Sequence, residues 1–142
     1  MSDLQTLHGQ LLGMLEELED LTAQPMPDEA ALASLRYRLT RTSGARRRLV
    51  DSLCVQLQLT LAPEEAAAVR ALREASIAAM TSSSDHIGTW SLRQLAKDWP
   101  GYCRASQQVR GAMREQIEAE RTILYPHIAP DESSELPGRA TG

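Results

Sequence analysis

Two polar side chains, Gln116 and Glu120, fall on a face of a predicted helix that should be apolar. Apolar residues recur every three or four positions and define that face: Val109, Met113, Ile117 and Leu124. A charged carboxylate buried there alone would cost several kcal/mol, so Glu120 needs a cation or several hydrogen-bond donors beside it. An ion pair, a hydrogen-bond network or a metal site is therefore the chemistry to expect at this position.

Four helices are predicted to position these side chains, because helical apolar spacing occurs in four stretches that turns separate. The first helix spans about residues 3–22, and the second follows the capping residue Asp28. The third begins at Pro63, where a proline loses no needed hydrogen bond. The last runs over about residues 100–125.

The third helix contains the run TSSSDHIG, residues 81–88, where its serines and Gly88 predict a kink or a short break before it resumes to about Asp98. Short turns between the helices favour an all-α fold, an up-down-up-down antiparallel four-helix bundle over residues 1–128. A flexible polar tail is predicted over residues 129–142.

The composition of the 142-residue chain is that of one globular domain, with 42% hydrophobic residues and a formal net charge of -4. This balance argues against a disordered chain and against a general nucleic-acid-binding protein. No apolar stretch approaches the roughly 20 residues of a membrane helix, and MSDLQTLHGQ lacks a basic region followed by an apolar one. A cytoplasmic protein is expected. Cys54 and Cys103 lack a CxxC spacing and are expected to be buried thiols.

Polar residues of all four predicted helices fall at one level of the bundle. At about 1.5 Å per residue, Gln116 lies roughly 24 Å from the end where the last helix begins. The same distance along the other helices reaches His8 and positions beside three further polar residues: Ser43, Arg46 and Ser82. A shared polar layer inside the bundle is therefore expected.

Arg46 is the predicted partner of Glu120, with Arg47 in its place if the second helix is rotated slightly. A polar pocket of five further residues is predicted to surround this ion pair: His8, Thr42, Ser43, Ser82 and Gln116. In the alternative, residues 46–48 face solvent, and the acids of the last helix pair at its surface, Glu120 with Arg121 or Glu118 with Arg114.

The stretch QIEAERTILYP, residues 116–126, is similar to the last-helix motif of hemerythrin-like (HHE) domains. Five positions match that motif: Ile117, Glu120, Leu124, Tyr125 and Pro126. Gln116 stands where the family has a metal-binding histidine, and Arg121 replaces the second glutamate. The stretch LHGQLLGMLEELEDL also resembles the family's first helix, and His8 matches its ligand histidine.

The resemblance implies an ancestral di-iron centre of which this chain lacks most ligands. The family's second His-x-x-x-Glu is absent, and RTSGARRRLVD stands in that region. If a metal is bound, the remaining set is His8, His86 and Glu120, because two histidines and one carboxylate can hold a single iron. Otherwise His8 is a hydrogen-bonded histidine on the apolar face, His86 lies near the surface, and no cofactor is expected.

Two functions are consistent with this interpretation. The first is a non-catalytic binding or regulatory protein that acts on an unknown protein partner or small ligand through a surface or a small polar pocket. The second is an iron- or zinc-binding protein that senses or carries oxygen or a related small ligand. An enzyme is not expected, because the chain has no Gly-rich phosphate loop, nucleophile elbow or HExxH motif.

Aromatic residues before and within the start of the last helix form a candidate interface: Trp90, Trp99 and Tyr102. We expect them to pack the corner between the third and last helices, with a partner-binding or homodimer patch as the alternative. Arg47, within the run ARRRL, is a candidate contact to phosphate or to an acidic protein surface. Three adjacent arginines point around a helix, however, and are typical of a solvated face.

Overall fold

The computed structural model describes residues 2–128, and every regular element in that range is helical. The helices are α1 (Asp3–Thr22), α2 (Glu29–Gln58), α3 (Pro63–Thr89), α4 (Leu92–Lys97) and α5 (Trp99–Leu124), followed by a 3-10 turn, Tyr125–His127. The predicted all-α class is confirmed, with four long helices and one short one. The predicted flexible polar tail, residues 129–142, lies outside the described residues.

Side-chain caps explain where the long helices begin. Ser2 accepts a hydrogen bond from the Gln5 backbone N–H, and the Gln5 side chain accepts from the Ser2 N–H, which satisfies two otherwise unpaired donors at the start of α1. Asp28 caps α2 through a 3.1 Å bond from the Ala31 N–H. Pro63 begins α3, with two acids in its first turn.

The break in the third helix lies later than predicted, so the expected kink within residues 81–88 was wrong. The helix is continuous through that range and ends at Thr89. Ser82 and Ser84 are exposed, so their hydroxyls face water and do not compete for the helical hydrogen bonds. The chain leaves the helix at Trp90, and Ser91 starts α4 by accepting a 3.1 Å hydrogen bond from the Gln94 N–H.

The interior is divided into apolar clusters with a polar layer between two of them. One cluster contains Leu4, Val50, Cys54, Val69, Leu72 and Leu124. A second, next to the polar layer on its other side, contains Leu11, Leu15 and Ile117. His8 lies between Leu4 and Leu11 on α1, and Glu120 lies between Ile117 and Leu124 on α5. The polar layer is thus enclosed by apolar side chains above and below it.

The four long helices surround this interior, since α1 contacts α2 and α5, and α3 contacts the same two helices. The short helix α4 packs on α5 and α2, where Leu95 enters a third apolar cluster with Trp99 and Tyr102. Within residues 2–128, no helix combines the length and apolarity needed to cross a membrane.

Asp98 holds the start of α5, and its replacement by alanine should be measurable. Its carboxylate accepts a 3.0 Å hydrogen bond from the Gly101 N–H, and a Cβ at Gly101 would collide with that carboxylate. Asp98→Ala is expected to lower the free energy of unfolding by about 1 kcal/mol in urea denaturation, because the cap is lost. Asp98→Asn, which can cap equally well, should stay close to wild type. An asparagine variant as unstable as the alanine variant would contradict this role.

Candidate functional site

Glu120 is the centre of the polar layer and is 0% exposed. Its Oε2 accepts hydrogen bonds from Arg46 Nη1 at 3.0 Å and from Gln116 Nε2 at 2.9 Å. Its Oε1 lies 2.7 Å from His8 Nε2. The side chain therefore has partners from three directions, which satisfies the requirement that a buried carboxylate be paired and hydrogen-bonded.

His8 connects Glu120 to Tyr125. Its second ring nitrogen, Nδ1, lies 2.5 Å from the Tyr125 hydroxyl, and the two rings stack with centroids 5.6 Å apart. Burial raises the pKa of Tyr125 above its ordinary value, so the phenol stays protonated at neutral pH and can donate. A neutral His8 that donates from Nε2 to Glu120 and accepts at Nδ1 from Tyr125 satisfies every partner in this chain of bonds.

Arg46 supplies the positive charge, and its residue is only 6% exposed. It projects inward from α2 one turn before Val50, which belongs to the apolar cluster beside the polar layer. Its Nε is a fully buried donor without a hydrogen-bond partner among the described residues. The pairing of Arg46 with Glu120 excludes the alternative in which residues 46–48 all face solvent.

Neither surface pair of the alternative arrangement is formed among the described residues. Arg121 lies 3.8 Å from Glu118 rather than pairing with Glu120. Arg114 lies 3.7 Å from Glu19 on α1 rather than pairing with Glu118. Local pairing on α5 therefore does not compete for Glu120.

The remaining members of the predicted pocket do not bond to Glu120 in the described structure. Thr42 and Ser43 are half-buried on α2, and Ser82 is exposed on α3. Ser43 and Ser82 line a cavity beside Gln116, whereas Thr42 lines neither this cavity nor the larger one next to it. The predicted ring of hydroxyls around the ion pair is thus not formed.

Ser76 is the residue of α3 that lies at the level of the ion pair, and sequence counting missed it. It is 4% exposed and follows Leu72 of the apolar cluster by one helical turn, as His8 follows Leu4. Tyr125 was also missed as a partner of His8, because it lies in the 3-10 turn, where helical periodicity does not predict side-chain direction. The signal for Ser76 in the sequence is its helical spacing after Val69 and Leu72.

His86 does not join His8 and Glu120. Its ring stacks on Tyr102, with centroids 5.8 Å apart, in a different part of the interior. Burial, and then the nearby Arg36 guanidinium, lower the pKa of His86, so the imidazole is neutral at neutral pH. Within residues 2–128, no three His, Cys, Asp or Glu side chains are grouped closely enough to hold a metal ion.

The side chains around Glu120 do not form the ligand set of the iron centre that the hemerythrin-like resemblance implies. Both carboxylate oxygens already have hydrogen-bond partners, and Arg46 places a permanent positive charge 3.0 Å from one of them. A metal cation bound there would face that charge at close range and would displace the Gln116 and Arg46 bonds.

The aromatic residues of the candidate interface mainly pack the interior. Tyr102 is 1% exposed, and Trp99 stacks on it with ring centroids 5.7 Å apart. The Trp99 indole N–H donates a 2.9 Å hydrogen bond to the Gln24 carbonyl oxygen after α1. Only Trp90 is partly accessible, so these rings hold the corner of the fold and offer little surface to a partner.

Two adjoining cavities lie beside the ion pair, between α2, α3 and α5. The larger, of about 120 Å³, reaches α1, and the smaller, of about 70 Å³, borders Arg46 and Gln116. Arg47 lines both cavities, rather than facing solvent with Arg48. The interior can therefore admit a small ligand next to the polar layer.

Comparison with models of known protein families, with curated proteins and with solved structures found no match to this chain.

Proposed function

We propose that this chain is a non-catalytic binding or regulatory protein in which a buried ion pair occupies the place of a former metal centre. The observation that carries the proposal is the saturation of Glu120 by side chains of the chain itself. Arg46, Gln116 and His8 together occupy both of its oxygens. A carboxylate used in this way is unavailable as a metal ligand or as a general base, and the site is left with a structural role.

We also propose that the four long helices form an up-down-up-down bundle of hemerythrin-like form. One apolar cluster contains a leucine or valine from each long helix. On each of these helices, the residue of the polar layer lies four positions along the sequence from that leucine or valine. Going from the cluster to that layer, the chain advances in α1 and α3 and runs backwards in α2 and α5. This alternation is expected of an antiparallel four-helix bundle. Gln116 and Glu120 both lie on α5, the last long helix, as the resemblance of residues 116–126 to the hemerythrin-like last-helix motif implies.

The protonation state of the two cysteine thiols argues against covalent catalysis by cysteine. Burial, reinforced by the Asp51 and Glu120 carboxylates, raises the pKa of Cys54 to about 11. Burial also raises the pKa of Cys103. Both thiols are therefore protonated at neutral pH, and a thiol is a far weaker nucleophile than a thiolate.

The presence of cavities beside the ion pair favours a small ligand as the binding partner. Trp99 and Tyr102 are buried, which removes two members of the candidate protein-binding patch. The cavities, in contrast, place polar groups such as Arg47, which makes no ion pair with the described residues, next to apolar walls. Pockets of this mixed character are typical of small-molecule sites.

Metal analysis of protein made in iron-supplemented cells tests the proposal. We expect no stoichiometric iron or zinc and no charge-transfer band in the absorption spectrum, because Arg46 already neutralises Glu120. His8→Ala is the matched control, since metal that remains in this variant is not held at the polar layer. Stoichiometric iron with a charge-transfer band in wild type, lost in His8→Ala, would favour the alternative of a metalloprotein that senses or carries oxygen.

A further inference from the structure

The two cavities adjoin each other, and both polar and apolar residues line each of them. They share six lining residues: Ser43, Arg47, Met80, Ser83, Val109 and Met113. The smaller cavity adds mainly polar groups, among them Arg46, Ser82 and Gln116. The larger one adds an apolar wall that includes Leu15, Leu18, Leu39 and Ile87. A ligand that follows both cavities would have one polar end and one apolar body.

The charge of the lining is entirely positive among residues 2–128. Arg36, Arg47 and Arg110 line the larger cavity, Arg46 lines the smaller one, and no aspartate or glutamate lines either. Arg110 and Arg46 have carboxylate partners, at 3.4 Å and 3.0 Å. For Arg47 the described residues supply no carboxylate within 4.0 Å. In a chain with a net charge of -4, this is a local excess of positive charge.

A second observation points to a missing acceptor at the same end of the space. Arg46 is only 6% exposed, and its Nε has no hydrogen-bond partner among the described residues. A buried donor without an acceptor is costly, and a ligand oxygen would remove that cost. Arg46 and Arg47 both line the smaller cavity, so two guanidinium groups lie at the end where an anion would bind.

The volume limits the apolar part of the ligand. A dry apolar cavity of about 150 Å³ in another protein binds benzene. The larger cavity here, of about 120 Å³, is similar in size, and the smaller one adds about 70 Å³ for a head group. A long acyl chain or a nucleotide would not fit this space.

We propose that the two adjoining cavities bind a small carboxylic acid, with its carboxylate beside Arg46 and Arg47 and an apolar body about the size of one benzene ring against Leu39, Met80 and Met113. This proposal rests on the proposed function as a binding protein and names the class of its ligand. Arg47 is the specificity-determining residue, because it lines both cavities and has no carboxylate partner among the described residues. Arg46 remains bonded to Glu120 and adds positive charge to the lining of the smaller cavity.

Calorimetric titration of the full chain with benzoate and with benzamide tests the proposal. The two probes have nearly the same shape, but only benzoate is an anion, so benzoate should bind at least about tenfold more tightly. Arg47→Gln should weaken benzoate binding by about tenfold or more and leave benzamide binding unchanged. Arg48→Gln is the matched control, because this neighbouring arginine is exposed and lines neither cavity.

Phenylacetate and phenylacetamide repeat the comparison with a slightly longer body. Failure of both acids to bind would overturn the proposal, as would amides that bind as tightly as the acids. Equal losses in Arg47→Gln and Arg48→Gln would show a general surface charge effect and would also overturn it. These outcomes are separate from a failure of the proposed function, which stoichiometric iron at His8 and Glu120 would reveal.

Discussion

Replacing Arg46 with leucine is expected to lower the free energy of unfolding by about 3 to 5 kcal/mol, because Glu120 would stay buried without its cation. Leucine keeps an apolar side chain in place of the buried stem, so the loss reports mainly the uncompensated carboxylate. His8 and Gln116 would remain as donors, but neither carries a permanent charge. Urea denaturation followed by far-ultraviolet circular dichroism measures the change.

Arg47→Leu is the matched control for this variant. Arg47 is the next residue on α2, is half-buried, and makes no ion pair within the described residues. Its replacement is expected to change the free energy of unfolding by less than about 1 kcal/mol. If the two leucine variants were equally unstable, Arg46 would have no special role in stabilising Glu120.

Glu120→Gln is expected to destabilise the fold by about 3 kcal/mol or more, although the side chain keeps its size. The Arg46 guanidinium would remain buried without a carboxylate partner. The new amide nitrogen would also face a donor. It would replace either the oxygen that contacts Arg46 or the oxygen that contacts His8. Urea denaturation again gives the value.

Glu118→Gln provides the control on the same helix. The Glu118 side chain is 69% exposed, and its 3.8 Å contact with Arg121 is a surface pair. Such pairs contribute little, so this variant should stay within about 0.5 kcal/mol of wild type. A loss of several kcal/mol in Glu118→Gln would mean that charge removal anywhere on α5 has the same effect.

The helices and the ion pair were accessible to sequence reasoning because both depend on local, strongly constrained physics. Asp28 and Pro63 mark helix starts through backbone hydrogen bonding alone, and α2 and α3 begin at or just after them. Arg46 was identified because a buried glutamate requires a cation and because helical rise converts sequence distance into depth. The structure places its Nη1 3.0 Å from Glu120.

The position of the polar layer on the third helix was misjudged because the count ran through a break. Counting back from the predicted end of the third helix treated α3 and α4 as one helix, whereas the chain leaves helical geometry at Trp90 and Ser91. The error moved the expected polar residue from the buried Ser76 to the exposed Ser82. The local signal of this break is Ser91, which caps α4.

The cavities and the His8 to Tyr125 contact were beyond sequence reasoning for a different reason. Both depend on the directions of side chains from several helices at once, and helical periodicity fixes only the face on which each one starts. Tyr125 reaches His8 from the 3-10 turn, and Arg36 and Arg110 enter the cavity lining from separate helices. Such sets become visible only when the helices are packed.

The most direct measurement of the central claim, that Arg46 stabilises the buried Glu120 in place of a metal, is a double-mutant cycle. It compares the unfolding free energies of wild type, Arg46→Leu, Glu120→Gln and the double variant in the presence of a metal chelator. We predict that the double variant is less destabilised than the sum of the single variants by about 2 to 3 kcal/mol, because removing both charges leaves neither one buried alone. Additive losses, equal within about 0.5 kcal/mol, would contradict the account.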